Sequence, residues 1–405
     1  MTEDWYFWSH RLPIANAARD AGFDVAVATR IGRHAERIQK EGFKLIPISL
    51  IRESRNPFHE LRTIAELVRV FKREKPHVIH LVALKPILYG AIASLLGARK
   101  SSVIAAIAGM GYLGTSSSVK AKVLRPIVAV ALRLLFSSER TRVLVQNRDD
   151  HTVLVNKVLK KPNLVRIIKG AGVDTKKFYP VPEPTGTPRV VLASRMLLNK
   201  GVSEFVDAVQ LLRQRSIAAE FLLVGDIDAS SPSAISKSRL DDWHSSGIIK
   251  WIGHNDDMAS VLRQANIVCL PSYREGLPKV LLEAMASARA IVTTDVPGCR
   301  EAVGHRINGL LVPVRNSVLL ADSLELLITN PQLRAALGQA GRLIAVQEFA
   351  ADKIGKQTLE LYEEVLLVAG RKLQAHLEPA SAVNQTWHHR TCESSLPLEL
   401  YSPEN

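Results

Sequence analysis

The sequence predicts two doubly wound α/β domains in one chain, and three observations carry that expectation. Short apolar runs of strand length alternate with longer amphipathic stretches of helix length. The alternation pauses once, over 170–188, where Gly170, Gly172, Pro180, Pro182, Pro184 and Pro188 accumulate, and then restarts. The chain has 405 residues, 47% apolar and 23% charged, which is enough for two ordinary hydrophobic cores.

In the first half, runs 24–29, 44–48, 78–81, 103–107 and 142–145 read as strands, with helical stretches 57–75 and 86–96 between them. In the second half, runs 189–193, 220–224, 248–251, 267–270, 290–293 and 309–312 read as strands. Both halves therefore look Rossmann-like, with parallel sheets. The first helix is expected over 9–21, preceded only by residues 1–8, in which no apolar strand fits. In the common strand order the first strand is central. The expectation is a first domain without its first strand, in a chain that begins late relative to that domain. At the other end, 371–405 mixes Pro, Ser, Asn and His without periodicity and is expected to be a disordered tail.

The net charge is +14, and it is uneven: counting Lys, Arg, Asp and Glu, residues 1–178 carry +17 and residues 179–405 carry −3. One half should be drawn to anions such as nucleic acid, an anionic leaflet or a phosphorylated acceptor. No apolar run reaches the ~18 residues of a membrane-spanning helix. The N-terminal residues lack the pattern of a signal peptide. Cys269, Cys299 and Cys392 have no metal-ligand spacing, which fits a reducing cytoplasm.

Two segments carry chemistry. The strand at 267–270 ends just before Glu275-Gly276-Leu277-Pro278-Lys279, which leads into a helix containing Glu283. Gly276 allows a tight turn and Pro278 suits a helix start, so free amides and the helix dipole form an anion site at a strand's carboxyl end. Two carboxylates beside such a site are suited to hold hydroxyls rather than phosphate. The second segment, Arg195 to Lys200-Gly201, follows the strand at 189–193, and its two cations suit a diphosphate. Either segment alone could be an ordinary solvated surface.

Together they resemble the retaining family-4 glycosyltransferases of GT-B fold. Glu275 and Glu283 match that family's Glu-x7-Glu motif, and Arg195, Lys200 and Gly201 match its Arg…Lys-Gly loop. Val224-Gly225-Asp226, Trp251-Ile252-Gly253-His254 and Gly172-Val173-Asp174 also fit, so the resemblance spans roughly residues 4–368. It implies two Rossmann-like domains facing a central cleft. Residues 1–178 would form the acceptor side and 179–348 the donor side, with 349–368 a helix crossing back. It implies no cofactor and no metal, although Asp226-Ile227-Asp228 formally matches a metal-binding Asp-x-Asp.

The resemblance also implies roles. Arg195 and Lys200 would hold the donor diphosphate, with Gly276, Leu277 and Lys279 near the phosphates. Glu283 would take the ribose hydroxyls, and Glu275 would orient the transferred sugar. Ile252, Gly253 and His254 would border the base. Relatives place a His after the fourth strand, where this chain reads Ala108-Gly109-Met110-Gly111. Gly109 and Gly111 still permit close backbone approach. His10 is the substitute suggested on the acceptor side.

For the acceptor, 119–142 is a basic amphipathic stretch with Lys120, Lys122, Arg125, Arg133, Arg140 and Arg142 among apolar residues. Segments 108–114 and 145–150 resemble the branch extending sugars on undecaprenyl diphosphate. The expected function is transfer of an N-acetylhexosamine or hexose from a UDP-linked donor to a polyprenyl-diphosphate-linked or other glycan acceptor, with retention. The expected place is the cytoplasmic face of the plasma membrane, bound peripherally to an anionic surface, in cell-surface polysaccharide synthesis and with no nucleic-acid partner. Three alternatives stay open: a nucleotide-sugar 2-epimerase of the same fold, a non-catalytic basic binder of membrane or nucleic acid, and an inactive remnant.

Overall fold

Parallel strands need crossover helices, and each stretch of this chain supplies them in order. A computed structural model describes residues 1–52, 54, 56–109, 128–229 and 231–370. The first half contains α1 (Leu12–Asp20), β1 (Ala26–Thr29), α2 (Ala35–Lys40), β2 (Lys44–Pro47), α3 (Pro57–Glu74), β3 (Val78–Val82), α4 (Leu84–Gly97), β4 (Ser102–Ile107), β5 (Thr141–Val145), α5 (Arg148–Val153) and β6 (Val165–Ile167). Residues 128–135 are also helical. The second half contains β7 (Arg189–Ala193), α6 (Val202–Gln214), β8 (Glu220–Val224), α7 (Lys237–Ser245), β9 (Lys250–Trp251), α8 (Met258–Arg263), β10 (Ile267–Leu270), α9 (Lys279–Ala286), β11 (Ala290–Thr294), α10 (Cys299–Ala302) and β12 (Leu310–Val312). Three long helices close the order: α11 (Ser317–Thr329), α12 (Pro331–Glu348) and α13 (Ala351–Val368).

Helix α3 shows why these segments fold as they do. Asn56 caps it by accepting from the Phe58 amide, Pro57 opens the first turn, and Lys75 ends it in the left-handed conformation. Thr63, Leu67, Val70 and Phe71 recur at helical spacing and are its buried stripe. Each apolar side chain so buried contributes about 2 kcal/mol. A charge at Leu67 would break the packing.

The second half is one six-stranded parallel sheet in the order β12-β11-β10-β7-β8-β9. Its inner strands are buried on both faces, so β10 reads as a continuous apolar run and β11 as Ala-Ile-Val followed by two buried threonines. The first half carries two sheets rather than one: β1 pairs with β2, and β3-β4-β5-β6 form a separate set. The residues before α1 make tight helical turns, and the only strand-like contact there among the described residues is a single parallel bridge from Glu3 to Arg30.

The chain crosses between the halves twice, and the crossings are tied together: the Val173 amide donates to the Phe349 carbonyl (2.8 Å) and the Ala351 amide to the Val173 carbonyl (2.9 Å). Helix α13 then lies on the first half. Its Ile354, Leu361, Tyr362 and Val365 pack with Ile14 of α1 and Val82 and Ile104 of β3 and β4.

One expectation needs correction, and one strand was not anticipated. The stretch 119–142 is not one basic face: residues 119–127 lie outside the described residues, β5 begins at Thr141, and Arg142 is buried with its guanidinium on Glu364 (2.7 Å). Strand β6 has only three residues and falls in a basic run, so its apolar signal is too short to stand out. The segment 371–405 and Gly111 lie outside the described residues.

Candidate functional site

The strand ends of both halves face a cleft of about 800 Å³, lined from the first half by Tyr6, His10 and Gln146 and from the second by Arg195, Lys200 and Glu283, among others. Each of the second-half groups is delivered by a strand-to-helix turn. After β7, Gly201 turns left-handed (φ +73°), and a Cβ there would meet the Pro271 carbonyl oxygen at 2.0 Å, so the loop bearing Lys200 is pressed against the end of β10. After β10, Gly276 sits against the first half. A Cβ on it would lie 1.9 Å from the Ala108 oxygen, and a Cβ on Gly109 (φ +128°) would lie 3.1 Å from the Gly276 Cα. Asn147, fully buried at the end of β5, donates to the Gly276 carbonyl (2.8 Å). These contacts hold Glu275 and the start of α9 in the cleft.

The charges are arranged as pairs. Lys200 Nζ meets Glu275 Oε1 at 2.5 Å, and both side chains are largely buried. Arg195 pairs with Asp228, and Lys279 with Glu283 at 3.1 Å. The first turn of α9 has no side-chain cap, which leaves its leading amides available. Cations, helix amides and carboxylates thus share one open cleft where an anion and a polyhydroxyl group can be held side by side.

Of the other expected residues, Gly276, Leu277 and His254 line the cleft, whereas Ile252 and Gly253 are not on its wall. Those two are held back by the sheet edge: the Ile252 amide donates to Leu223 and the Gly253 carbonyl accepts from Gly225. His254 is reached from the first half by Arg33 (3.4 Å) and pairs with Asp256 (3.0 Å). Asp226 accepts from the His254 amide (3.0 Å) and Asp228 holds Arg195, so the Asp-x-Asp segment is engaged in shaping the loop.

His10 stacks on Tyr6 with ring centroids 4.4 Å apart and shares a 2.6 Å hydrogen bond with Ser9. Burial, then Lys279, Arg11 and Lys200, lower its pKa to about 3. The ring is therefore neutral near neutral pH.

Sequence reasoning did not single out Asp228 as the partner of Arg195, Arg33 as a neighbour of His254, or Asp150 as the partner of Arg274 (3.0 Å) across the halves. Each depends on a contact distant in sequence. The run Gln146-Asn147-Arg148-Asp149-Asp150 at the end of β5 was the available signal.

Two family descriptions match the chain in this order: "Glycosyl transferase 4-like" over residues 2–147 and "Glycosyl transferases group 1" over residues 187–330. The chain is a glycosyltransferase of the GT-B fold. It is 29% identical over 369 residues to the N,N'-diacetylbacillosaminyl-diphospho-undecaprenol alpha-1,3-N-acetylgalactosaminyltransferase of Campylobacter jejuni, covering 88% of this chain and 95% of that one. It is 21% identical over 359 residues to the capsular polysaccharide biosynthesis glycosyltransferase CapM of Staphylococcus aureus, covering 86% and 92%. Among solved structures, Anabaena HepE in complex with UDP and glucose superposes with a TM-score of 0.71 at 18% identity, covering 86% of this glycosyltransferase and 94% of HepE.

Proposed function

We propose that this glycosyltransferase moves a sugar from a UDP-linked donor to a polyprenyl-diphosphate-linked glycan, with retention, in cell-surface polysaccharide synthesis. The observation that carries the donor half is the conjunction of Arg195, Lys200 and the uncapped start of α9 with Glu275 and Glu283 in one cleft. The donor diphosphate would lie against the two cations and the α9 amides. Glu283 would accept from ribose hydroxyls and Glu275 from the transferred sugar. On donor binding, the phosphates would share Lys200 with Glu275 and Arg195 with Asp228, so charge on the leaving group meets cations already in position. The acceptor oxygen would bond to the anomeric carbon as the bond to the diphosphate breaks on the same face. The leaving phosphate oxygen takes the acceptor proton, which leaves the two carboxylates free for binding.

The acceptor half rests on the Campylobacter relative, whose printed name contains undecaprenol diphosphate, and on the surface of the first half. Phe58 (80% exposed) and Leu61 on α3 and Leu95 and Leu96 on α4 are exposed beside the exposed cations Arg62, Arg69, Lys72, Arg73, Arg99 and Lys100. Apolar and basic groups together suit the surface of an anionic leaflet at its cytoplasmic face. Among the described residues no helix is long and apolar enough to cross a membrane. The relatives named above are transferases, which favours transfer over epimerisation.

The test is a donor panel. Purified protein is incubated with a polyprenyl-diphosphate-linked sugar and each common UDP- or GDP-sugar, and nucleoside diphosphate release is followed. Acceptor-dependent release from a UDP-sugar is expected. Conversion of a nucleotide sugar to its epimer without acceptor would replace the reading.

A further inference from the structure

Glu275 lines the cleft from the second half, yet the chain on either side of it is held by the first. Just after β5, Asn147 caps α5, its side-chain oxygen accepting from the Asp150 amide (2.8 Å). Asn147 Nδ2 donates both to Asp150 Oδ2 (3.0 Å) and to the Gly276 carbonyl (2.8 Å). The other carboxylate oxygen of Asp150 accepts from Arg274 Nη2 (3.0 Å). Arg274 and Gly276, the two chain neighbours of Glu275, are thus tied to one capping pair across the halves. Asn147 and Asp150 are 0% and 1% exposed, so water does not compete for these bonds.

The turn is closed from the second half as well. A Cβ on Gly298 (φ +83°) would lie 2.4 Å from the Gly276 oxygen and 2.8 Å from the Glu275 oxygen, which leaves that backbone no slack. Stability alone is a poor account of the Arg274–Asp150 pair. The attraction within a buried ion pair is largely offset by desolvation, and Arg274 Nε is buried without an acceptor among the described residues. What the pair supplies is place: Asp150 is itself fixed by Asn147, so Arg274 docks on a carboxylate that cannot turn. A neighbouring pair makes the contrast. Arg300 and Asp149 also meet across the halves, at 3.5 Å, but both are exposed and neither adjoins Glu275.

We propose that Asp150 and Arg274 are positioning residues for transfer, through which the first half sets where the Glu275 carboxylate meets the transferred sugar. The inference rests on Glu275 holding that sugar, as proposed above. Nucleotide and sugar are then held by different means. Arg195, Lys200 and the α9 amides belong to the second half alone, whereas Glu275 takes its place from a contact with the first. A bound donor meets a correctly placed Glu275 only when the halves are docked at Asn147 and Asp150.

The test uses the full chain, the UDP-sugar turned over in the donor panel and a polyprenyl-diphosphate-linked sugar. Turnover and UDP binding are measured for Asp150→Asn, Arg274→Met and their double variant, with Asp149→Ala and Lys200→Ala alongside. Free UDP lacks the sugar that Glu275 holds. Its Kd is expected to stay within about twofold of the native value, while kcat falls about tenfold or more in each single variant. The double variant is expected to be no slower than the slower single one, because the two residues act as a unit. Asp149→Ala is expected to keep the native rate. Should Arg274→Met not fold, Arg274→Lys, which retains the charge without the fork, takes its place, with a smaller fall in kcat and the same UDP affinity. Native rates in the Asp150 and Arg274 variants beside a slow Lys200→Ala would overturn the proposal alone. So would UDP affinity falling in step with kcat, or an equal fall in Asp149→Ala, since either means that the pair only holds the halves together. A native rate in Lys200→Ala as well would overturn the functional reading with it.

Discussion

Lys200 and Glu275 are held at 2.5 Å with little solvent access, so removing one leaves the other's charge uncompensated beside the donor space. Lys200→Ala and Glu283→Ala should each lower kcat/KM for the nucleotide sugar by about a hundredfold or more while the chain still folds, and Lys200→Ala should also lower Tm because it strands the Glu275 charge. An unaltered rate in either variant would remove that residue from the site. Histidines give a second prediction. His80, hydrogen-bonded to Tyr362 (2.6 Å), has its pKa lowered to about 3, chiefly by burial. The unfolded chain then binds the proton first, so stability is intact above pH ~6.5 and falls as pH drops towards 3, by up to ~1.4 kcal/mol per pH unit from this group. Urea melts at pH 7 and pH 5 should show this loss, and His80→Asn should reduce it, the remainder coming from His10, whose pKa is lowered in the same way. At this scale the sequence singled out Arg195, Lys200, Glu275 and Glu283 because each lies in a short motif at a strand end, and all four line the cleft. It could not reveal Asp228, Arg33 or Asp150, whose relevance comes only from contacts made across the fold.

At the scale of elements, the turn between β10 and α9 is one of the places where the two halves touch, and Gly276 has no room for a side chain. Gly276→Ala must push against the Ala108 carbonyl and so displace Glu275 and the α9 amides. It should abolish most transfer while the second-half sheet stays folded, which far-UV circular dichroism and an activity assay together would reveal; full activity would show that the approach is not needed. The strands were legible where burial on both faces makes a continuous apolar run, as in β7, β8 and β10, whose observed bounds coincide with the expected ones. β9 is shorter than expected because the Ile249 amide donates to the Trp243 carbonyl (3.3 Å) rather than to a neighbouring strand. Residues 1–11 form no strand, and the division of the first-half strands into two sheets with a cavity between them emerged only from the packing.

For the whole molecule, the excess charge of the first half predicts how it meets its acceptor. Binding to vesicles rich in anionic lipid should exceed binding to neutral ones and should fall as salt rises from low to physiological strength, since the Debye length shrinks to ~8 Å. Sedimentation with vesicles measures this, and equal binding to neutral vesicles would remove the electrostatic part of the reading. The division into two α/β halves was legible in the alternation of apolar runs, and the crossing helix and the facing strand ends were expected only from the family resemblance; the exposure of Phe58 and Leu61 was not legible, because it depends on which face of α3 the sheet takes. The central claim is that the cleft between the halves holds a nucleoside diphosphate. Its most direct test is calorimetric titration of UDP into the native chain and into Lys200→Ala. Saturable binding, weakened about tenfold or more in the variant (~1.4 kcal/mol), is the predicted result; no binding by the native chain, or equal binding by both proteins, would contradict it.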